Sequence, residues 1–105
     1  MNDTITAIAT PPGEGGIGVI RLSGNNALVI ALRLFHPVTG PVEEPPSQKV
    51  LFGEIRDPES DECIDQVLLT FFKKPKSYTA EDVIEISAHG GAWIVSRILE
   101  LVLGQ

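Results

Sequence analysis

The alternation of apolar and polar positions along the chain predicts five strands and two helices. Branched aliphatic residues alternate with polar ones at 4–10, 18–23 and 82–88, which is typical of strands with one buried face. The segments 49–56 and 64–72 also have the composition of strands. The segments 27–35 and 92–103 are rich in apolar helix formers. The order ββαβββα favours an α/β (α+β) domain, with a mixed sheet of about five strands and two helices packed on one face.

The segments between these elements contain the residues that interrupt regular structure. Four prolines and Gly40 predict an extended surface loop from 36 to 48. The acidic residues at 57–62 predict a turn that joins two antiparallel strands. His89 and the two glycines after it predict a strand-to-helix turn.

Two charged residues occupy the centres of predicted strands. Alternation places Arg21 on the strand face opposite Ile20 and Leu22, and it places Glu85 opposite Ile84 and Ile86. A charge in such a position needs water, an oppositely charged partner or a ligand. Two interpretations therefore stay open: a solvated sheet face with a cross-strand ion pair, or a ligand shelf with one cation and one carboxylate.

Composition limits the class of protein. A chain of 105 residues forms one domain, and 43% hydrophobic with 21% charged residues is normal for a globular protein. Fourteen acidic residues against eight basic ones give a net charge of −6. This charge argues against direct nucleic-acid binding by the chain alone, because phosphate contacts require clustered Lys and Arg.

Cysteine content, hydropathy and the first ten residues all favour a cytoplasmic location. The single cysteine, Cys63, excludes an internal disulfide and a cysteine-based zinc cluster, and it suits a reducing environment. No apolar run approaches the ~20 residues of a membrane span. The first ten residues include Asp3 and no basic residue, unlike a signal peptide. We therefore expect a cytoplasmic protein without a membrane partner.

Three short motifs do not carry the chemistry that their letters suggest. Residues 13–18 read G-x-G-x-x-G, but a strand follows where a dinucleotide site needs a helix. This glycine-rich loop is either a plain turn or a place where a ligand or another chain approaches the backbone.

The sequence at 89–91 is similar to a hydrolase oxyanion loop, but no G-x-S-x-G nucleophile motif accompanies it. His36 and His89 lack metal-ligand spacing, so we expect no metal site and place His89 at a turn or pocket rim.

Three longer blocks resemble a known family. They are DTI at 3–5 leading into ATPPGEGGI at 9–17, VIRLSG at 19–24, and KSYTAEDVIEI at 76–86 followed by HGG at 89–91. In this order they resemble the N-terminal domain of the tRNA-modification GTPase family MnmE, also called TrmE. The resemblance covers nearly the whole chain. It implies a single domain, 1–105, similar to the tetrahydrofolate-binding domains of one-carbon enzymes.

The resemblance also implies a ligand and a partner. Family members bind 5-formyltetrahydrofolate or a related tetrahydrofolate in this domain and form homodimers through it. Arg21 and Glu85 fall where the family contacts folate. A carboxylate can accept the paired N–H donors of a pterin edge, while a guanidinium can donate to carbonyl or carboxylate oxygens. We therefore expect these two residues to bind the cofactor and expect no catalytic residue in this chain.

The whole family protein is larger than this chain. It hydrolyses GTP, with Mg²⁺ and K⁺, in a separate P-loop domain. With a flavin-dependent partner of the MnmG type, it modifies C5 of the wobble uridine of certain tRNAs. The chain therefore resembles a non-catalytic fragment of a longer GTPase. One alternative is a purely structural dimerisation module, and another is a free-standing one-carbon transferase, which would need a catalytic acid or base that the sequence does not supply.

Overall fold

In a computed structural model, which describes residues 4–8, 15–74 and 81–105, six strands and two helices account for most of the chain. The elements are β1 (Ile5–Ile8), β2 (Gly15–Ser23), α1 (Ala27–Leu34), β3 (Phe35–Pro37), β4 (Val50–Arg56), β5 (Cys63–Phe72), β6 (Val83–Gly90) and α2 (Ala92–Leu103). Residues 9–14, which include the first two residues of the glycine-rich loop, and residues 75–80, which include the start of the third family block, lie outside the described residues.

The strands form one sheet in the order β1-β2-β6-β5-β4-β3. The fold class and the packing of both helices against one sheet are confirmed, with six strands rather than about five. The prediction of a mixed sheet is wrong, because every observed pair of neighbouring strands is antiparallel. The reason is the position of the crossover. Helix α1 carries the chain from β2 to β3 at the opposite edge, and β4, β5 and β6 then fill the space between them.

The sixth strand, β3, lies where the prolines predict only loop. Phe35, His36 and Pro37 pair with Ile55, Glu54 and Gly53 of β4. Pro37 is tolerated because β3 is an edge strand, where a missing N–H removes no interior hydrogen bond. Helix α1 consequently ends at Leu34, one residue earlier than predicted, and Phe35 is already extended.

One face of the sheet, here called the closed face, packs against both helices. It carries Ile20 and Leu22 of β2, Leu69 of β5, and Ile84 and Ile86 of β6, all with no exposed surface. Side chains from α1 and α2 complete the same cluster: Ala27, Ala31, Leu34, Val95, Ile98, Leu101 and Val102. The predicted alternation in β2 and β6 is therefore confirmed for these aliphatic residues.

The opposite surface, here called the open face, carries the alternate residues of the same strands. They include Arg21, Phe52, Leu68, Glu85 and Ser87. Val83 shares the alternate positions of β6 with Glu85 and Ser87, but it has no exposed surface. It lies at the start of β6 between Ser23 of β2 and Phe72 of β5, so its neighbours on both sides shield it.

Candidate functional site

Arg21 and Glu85 meet on the open face. The register of β2 and β6 places them directly opposite each other. Nε of Arg21 donates to Oε2 of Glu85 at 2.9 Å, and Nη2 of Arg21 donates to the same oxygen at 2.6 Å. Strand positions, rather than loops, therefore define where both charged groups lie.

The two carboxylate–guanidinium bonds contribute little to folding. The Arg21 side chain is 43% exposed and that of Glu85 is 19% exposed, so water screens much of their attraction. Cross-strand and surface pairs of this kind are worth about 1 kcal/mol or less. The geometry is that of the cross-strand ion pair considered from the sequence, and such a pair is compatible with either interpretation of these residues.

Apolar side chains lie beside this pair. The next row of the open face runs Val19, Ser87, Leu68 and Phe52 across four strands. Phe52 and Leu68 are each 45% exposed, and Ile17 is 66% exposed. A flat ligand or a second protein surface could therefore contact both apolar and charged groups on one face of the sheet.

Arg21 and Glu85 do not line either of two cavities whose walls consist of described residues. The smaller, of about 180 Å³, lies on the open face and contains Ile17, Leu68 and His89. The larger, of about 360 Å³, lies beside β3 at the far edge of the sheet, next to His36. The smaller of these two cavities lies near the candidate pair, because Ser87, which lines it, is two residues from Glu85 on the same strand.

His89 lies inside β6 rather than in a turn, and it does line a cavity, as the pocket-rim interpretation proposed. Its Nδ1 lies 2.7 Å from Oδ1 of Asp65, and its backbone N–H donates to Oδ2 of Asp65 at 2.9 Å. The sequence interpretation did not include Asp65. One signal in the sequence could have identified it. Asp65 lies two residues before Val67, at a position of β5 where alternation predicts a buried apolar residue.

Neighbouring groups shift the pKa values of two other side chains, Cys63 and Arg56. Cys63 is exposed and unpaired with any other cysteine. Partial burial of its sulfur, followed by the charge of Glu54, raises the pKa of the Cys63 thiol above its ordinary value. Hydrogen bonds from Arg56 to Glu54 and Asp61 raise the pKa of that guanidinium, so Arg56 is charged at every physiological pH.

The described residues contain neither a metal-ligand cluster nor a helix that could span a membrane. Within residues 4–8, 15–74 and 81–105, no three His, Cys, Asp or Glu side chains converge into a group that could hold a metal ion. Neither helix of the described chain has the length and apolar character needed to cross a bilayer.

The antiparallel sheet and its helices define a small α+β domain that presents paired opposite charges on the sheet face opposite its helices. Residues 4–105 match the family model described as GTP-binding protein TrmE N-terminus. The chain belongs to this family, as the three sequence blocks predicted.

Curated relatives agree with the family assignment. The chain is 53% identical over 104 residues to the tRNA modification GTPase MnmE of Moorella thermoacetica, covering 98% of the chain. It is 56% identical over 104 residues to the protein of the same name from Chloroflexus aurantiacus, again covering 98% of the chain. The match to the Clostridioides difficile protein is 50% over 106 residues and covers the whole chain. The chain spans only 22–23% of the length of these relatives.

Proposed function

We propose that this chain is the folate-binding and dimerisation module of a longer tRNA-modification GTPase. Family membership and the names of the relatives support the parent protein. The observation that carries the ligand proposal is the Arg21–Glu85 pair, held by adjacent strands on one sheet face at 2.6 Å. The ligand is 5-formyltetrahydrofolate or a related tetrahydrofolate.

The chemistry of a pterin suits these two side chains. One edge of the ring carries an exocyclic amine beside a ring N–H, and a carboxylate such as Glu85 accepts both. Arg21 donates to the ligand's carbonyl or carboxylate oxygens through its planar guanidinium. Because Arg21 and Glu85 already bond to each other, the ligand exchanges contacts with a preformed pair and needs no new side chain to arrive from elsewhere.

Calorimetry with 5-formyltetrahydrofolate tests this assignment. We expect saturable heat with the unchanged chain and binding at least about tenfold weaker for Arg21→Ala and Glu85→Gln, because each removes charge-assisted hydrogen bonds. Arg97→Ala is the matched control, since Arg97 forms an equally short ion pair with Asp57 away from the open face. Equal heats from all four proteins, or no saturable heat from the unchanged chain, would contradict the proposal.

The open face also supports dimerisation. Apolar side chains there, including Val50, Phe52 and Leu68, are substantially exposed, and burying them against a second copy would be favourable. By contrast, the apolar helix α1 buries Ala27, Ala31 and Leu34 within its own chain. This difference favours the sheet face over the helix as the contact between copies.

Sedimentation over a hundredfold range of concentration separates the two functions. A monomer at every concentration would contradict dimerisation. A stable dimer that gives no folate heat would support the alternative, a purely structural dimerisation module. We expect a concentration-dependent dimer and weaker association for Phe52→Ser, which removes exposed apolar surface without touching the Arg21–Glu85 pair.

The activity of the whole protein lies outside this chain. In our proposal GTP binds with Mg²⁺ and K⁺ in a separate domain, and a flavin-dependent partner cooperates in modifying C5 of the tRNA wobble uridine. The chain itself contributes cofactor binding and assembly. Purified chain that transferred a one-carbon group to any acceptor would contradict this division of labour and support the transferase alternative.

A further inference from the structure

Helix α2 presents one exposed stripe on the side away from the sheet. Trp93, Ser96, Glu100 and Leu103 are all exposed, and their spacing of three, four and three residues places them on one face of the helix. The buried residues of α2 occupy the opposite face, against the sheet. The four exposed residues are here called the outer stripe.

The two ends of the outer stripe are large apolar side chains. Trp93, the only tryptophan of the chain, is 65% exposed, and Leu103 is 67% exposed. At about 1.5 Å per helical residue they lie about 15 Å apart along α2. Tryptophan buries more apolar area than other side chains and is enriched where protein surfaces meet. The outer stripe is therefore suited to contact a second apolar surface.

The size of the outer stripe distinguishes a tethered partner from a free one. A stable contact between separate proteins buries about 1,200–2,000 Å² in total, and two apolar side chains separated by Ser96 and Glu100 offer far less. A segment of the same polypeptide needs less area, because its tether keeps it at an effective concentration on the order of 1 mM. The outer stripe therefore favours a partner joined covalently to α2 over a second copy of the chain.

The parent protein contains polypeptide that can reach the outer stripe. The matched family model describes an N-terminus, and this chain spans only 22–23% of the length of its relatives. Leu103 is two residues from Gln105, so a continuation of the polypeptide beyond Gln105 starts beside the stripe. A turn of about 2–8 residues, which commonly joins packed helices, is enough to bring it back along α2.

The charge on the outer stripe limits the chemistry of the partner. The Glu100 side chain is 69% exposed, and its Oε1 lies 3.6 Å from Nη1 of Arg97. The same guanidinium donates from Nη2 to Oδ2 of Asp57 at 2.6 Å. Arg97 is thus shared between two carboxylates, and Glu100 keeps the capacity to accept further hydrogen bonds. A Lys or Arg on the partner would pair with Glu100, between apolar residues that cover Trp93 and Leu103.

We propose that the outer stripe is the docking site for the segment that follows Gln105 in the parent protein, packed as a helix antiparallel to α2. The inference rests on the proposed longer parent protein. It goes beyond the proposed function, because the stripe lies on the side of the sheet opposite Arg21 and Glu85. It assigns α2 a second role, as the surface that fixes this module relative to the polypeptide that follows it.

Photo-crosslinking in the parent protein identifies the occupant. The photoreactive residue p-benzoylphenylalanine replaces Trp93, which keeps an aromatic side chain at that position, and mass spectrometry maps the product. We expect a crosslink within one polypeptide, to a residue within about 25 positions of Gln105, which is the reach of one turn and one helix. Val38 is the matched position, because it is 64% exposed and follows edge strand β3. The same probe at Val38 should not react with that segment.

Footprinting checks the same contact without altering the outer stripe. Hydroxyl-radical labelling of Trp93 and Leu103 should be about threefold lower in the parent than in the isolated chain, as expected if docking reduces their exposure to about one fifth. Labelling of Val38 should not change. In the parent, Leu103→Glu should restore the labelling of Trp93, whereas Val38→Glu should not. In the isolated chain, each of these two variants should shift the melting temperature by less than about 3 °C, because both residues are exposed.

The outcomes decide between occupants. A crosslink from position 93 to segment 106–130 of the same polypeptide, with protection of Trp93 and Leu103, supports the docking. A crosslinked dimer, a crosslink to a distant part of the parent, or equal labelling of Trp93 in chain and parent would overturn it. Protection of Trp93 in the isolated chain that increases with concentration would assign the stripe to a second copy and would also overturn it.

The proposed function is judged by other residues. Folate heats depend on Arg21 and Glu85, and association through the open face depends on Phe52. Failure of those measurements would contradict the proposed function while leaving the crosslink from position 93 as expected. Failure of the crosslink, with folate heats that respond to Arg21→Ala and Glu85→Gln, would contradict only the docking of the segment on α2.

Discussion

The two faces of the sheet are built from the same strands and have opposite characters. On the closed face, Leu69 and Ile86 have no exposed surface and pack against both helices. One residue along each strand, Leu68 is about half exposed and Glu85 reaches across to Arg21. The closed face provides the apolar burial that stabilises the fold, so the open face is available for polar and exposed side chains that recognise other molecules.

The difference between the two faces indicates that one set of residues stabilises the fold and another set is available for recognition. Alternation of side chains along a strand allows one face to change with little effect on the other. Substitutions on the closed face should therefore alter unfolding, and those on the open face should alter binding. Four measurements examine this separation, in order of decreasing expected effect.

Leu69→Ala and Leu68→Ala make the sharpest comparison, because the two leucines are adjacent in β5. Truncation of fully buried Leu69 leaves a cavity beneath the helices and should lower the free energy of unfolding by about 3 kcal/mol. Leu68→Ala should lower it by less than about 1 kcal/mol, because Leu68 is already partly hydrated. Urea denaturation measures both, and equal losses would show that the faces do not differ as described.

Two glycines provide the next comparison. A Cβ at Gly53 would collide with the carbonyl oxygen of His36 and lie 2.7 Å from the Phe35 ring. Gly53→Ala should therefore destabilise the chain by about 2 kcal/mol and loosen β3.

At Gly16, which lines the smaller cavity on the open face, an added Cβ meets no atom within 4 Å. Gly16→Ala should change stability by less than about 0.5 kcal/mol. Thermal unfolding of both variants, with hydrogen exchange at β3 for Gly53→Ala, checks the pair. Similar melting temperatures would contradict the crowding inferred at Gly53.

The ion pairs on the two sides of the sheet should differ modestly. The Asp57 and Arg97 side chains are 14% and 30% exposed, respectively, against 19% for Glu85 and 43% for Arg21. Double-mutant cycles with Arg97→Ala and Asp57→Asn should therefore give a coupling of about 1 kcal/mol. The cycle with Arg21→Ala and Glu85→Gln should give less, and 1 M salt should reduce it further. A larger coupling for Arg21 and Glu85 would assign that pair a stabilising role.

The smallest effect concerns Cys63, whose pKa is raised by burial and by Glu54 of the open face. At a given pH a raised pKa leaves less thiolate, so alkylation should be slower than in the urea-unfolded chain. The pH midpoint of the reaction should lie above that of the unfolded chain, and Glu54→Gln should return it part of the way. A midpoint equal to that of the unfolded chain would show that neither burial nor Glu54 acts on this thiol.

Local pattern predicted most of the helices and strands. Alternation placed Ile20, Leu22, Ile84 and Ile86 on one face because the period of a strand is fixed by its backbone. The helix predicted at 92–103 is observed as α2, whose buried residues are Val95, Ile98, Leu101 and Val102. The short strand β3 could not be predicted from its prolines, because its pairing with β4 depends on a partner far along the chain.

The candidate site was predicted only in part. Arg21 and Glu85 were found from strand position and family resemblance, and the structure shows that they lie opposite each other. Asp65 and Phe52 were missed. Asp65 contacts His89 on another strand, and Phe52 reaches the smaller cavity on the open face only because the strands pair, so the local sequence predicts neither. The role of Arg21 and Glu85 in ligand binding stays a prediction.

The sequence by itself determined the family, the faces of the individual strands and the identity of the charged pair, since these depend on local order and side-chain chemistry. The tertiary structure decided the antiparallel strand order, the edge strand β3, the contact of Asp65 with His89 and the smaller cavity on the open face. These features require residues far apart in the chain to meet. Such meetings are set by the packing of the whole sheet against its helices, which no local pattern specifies.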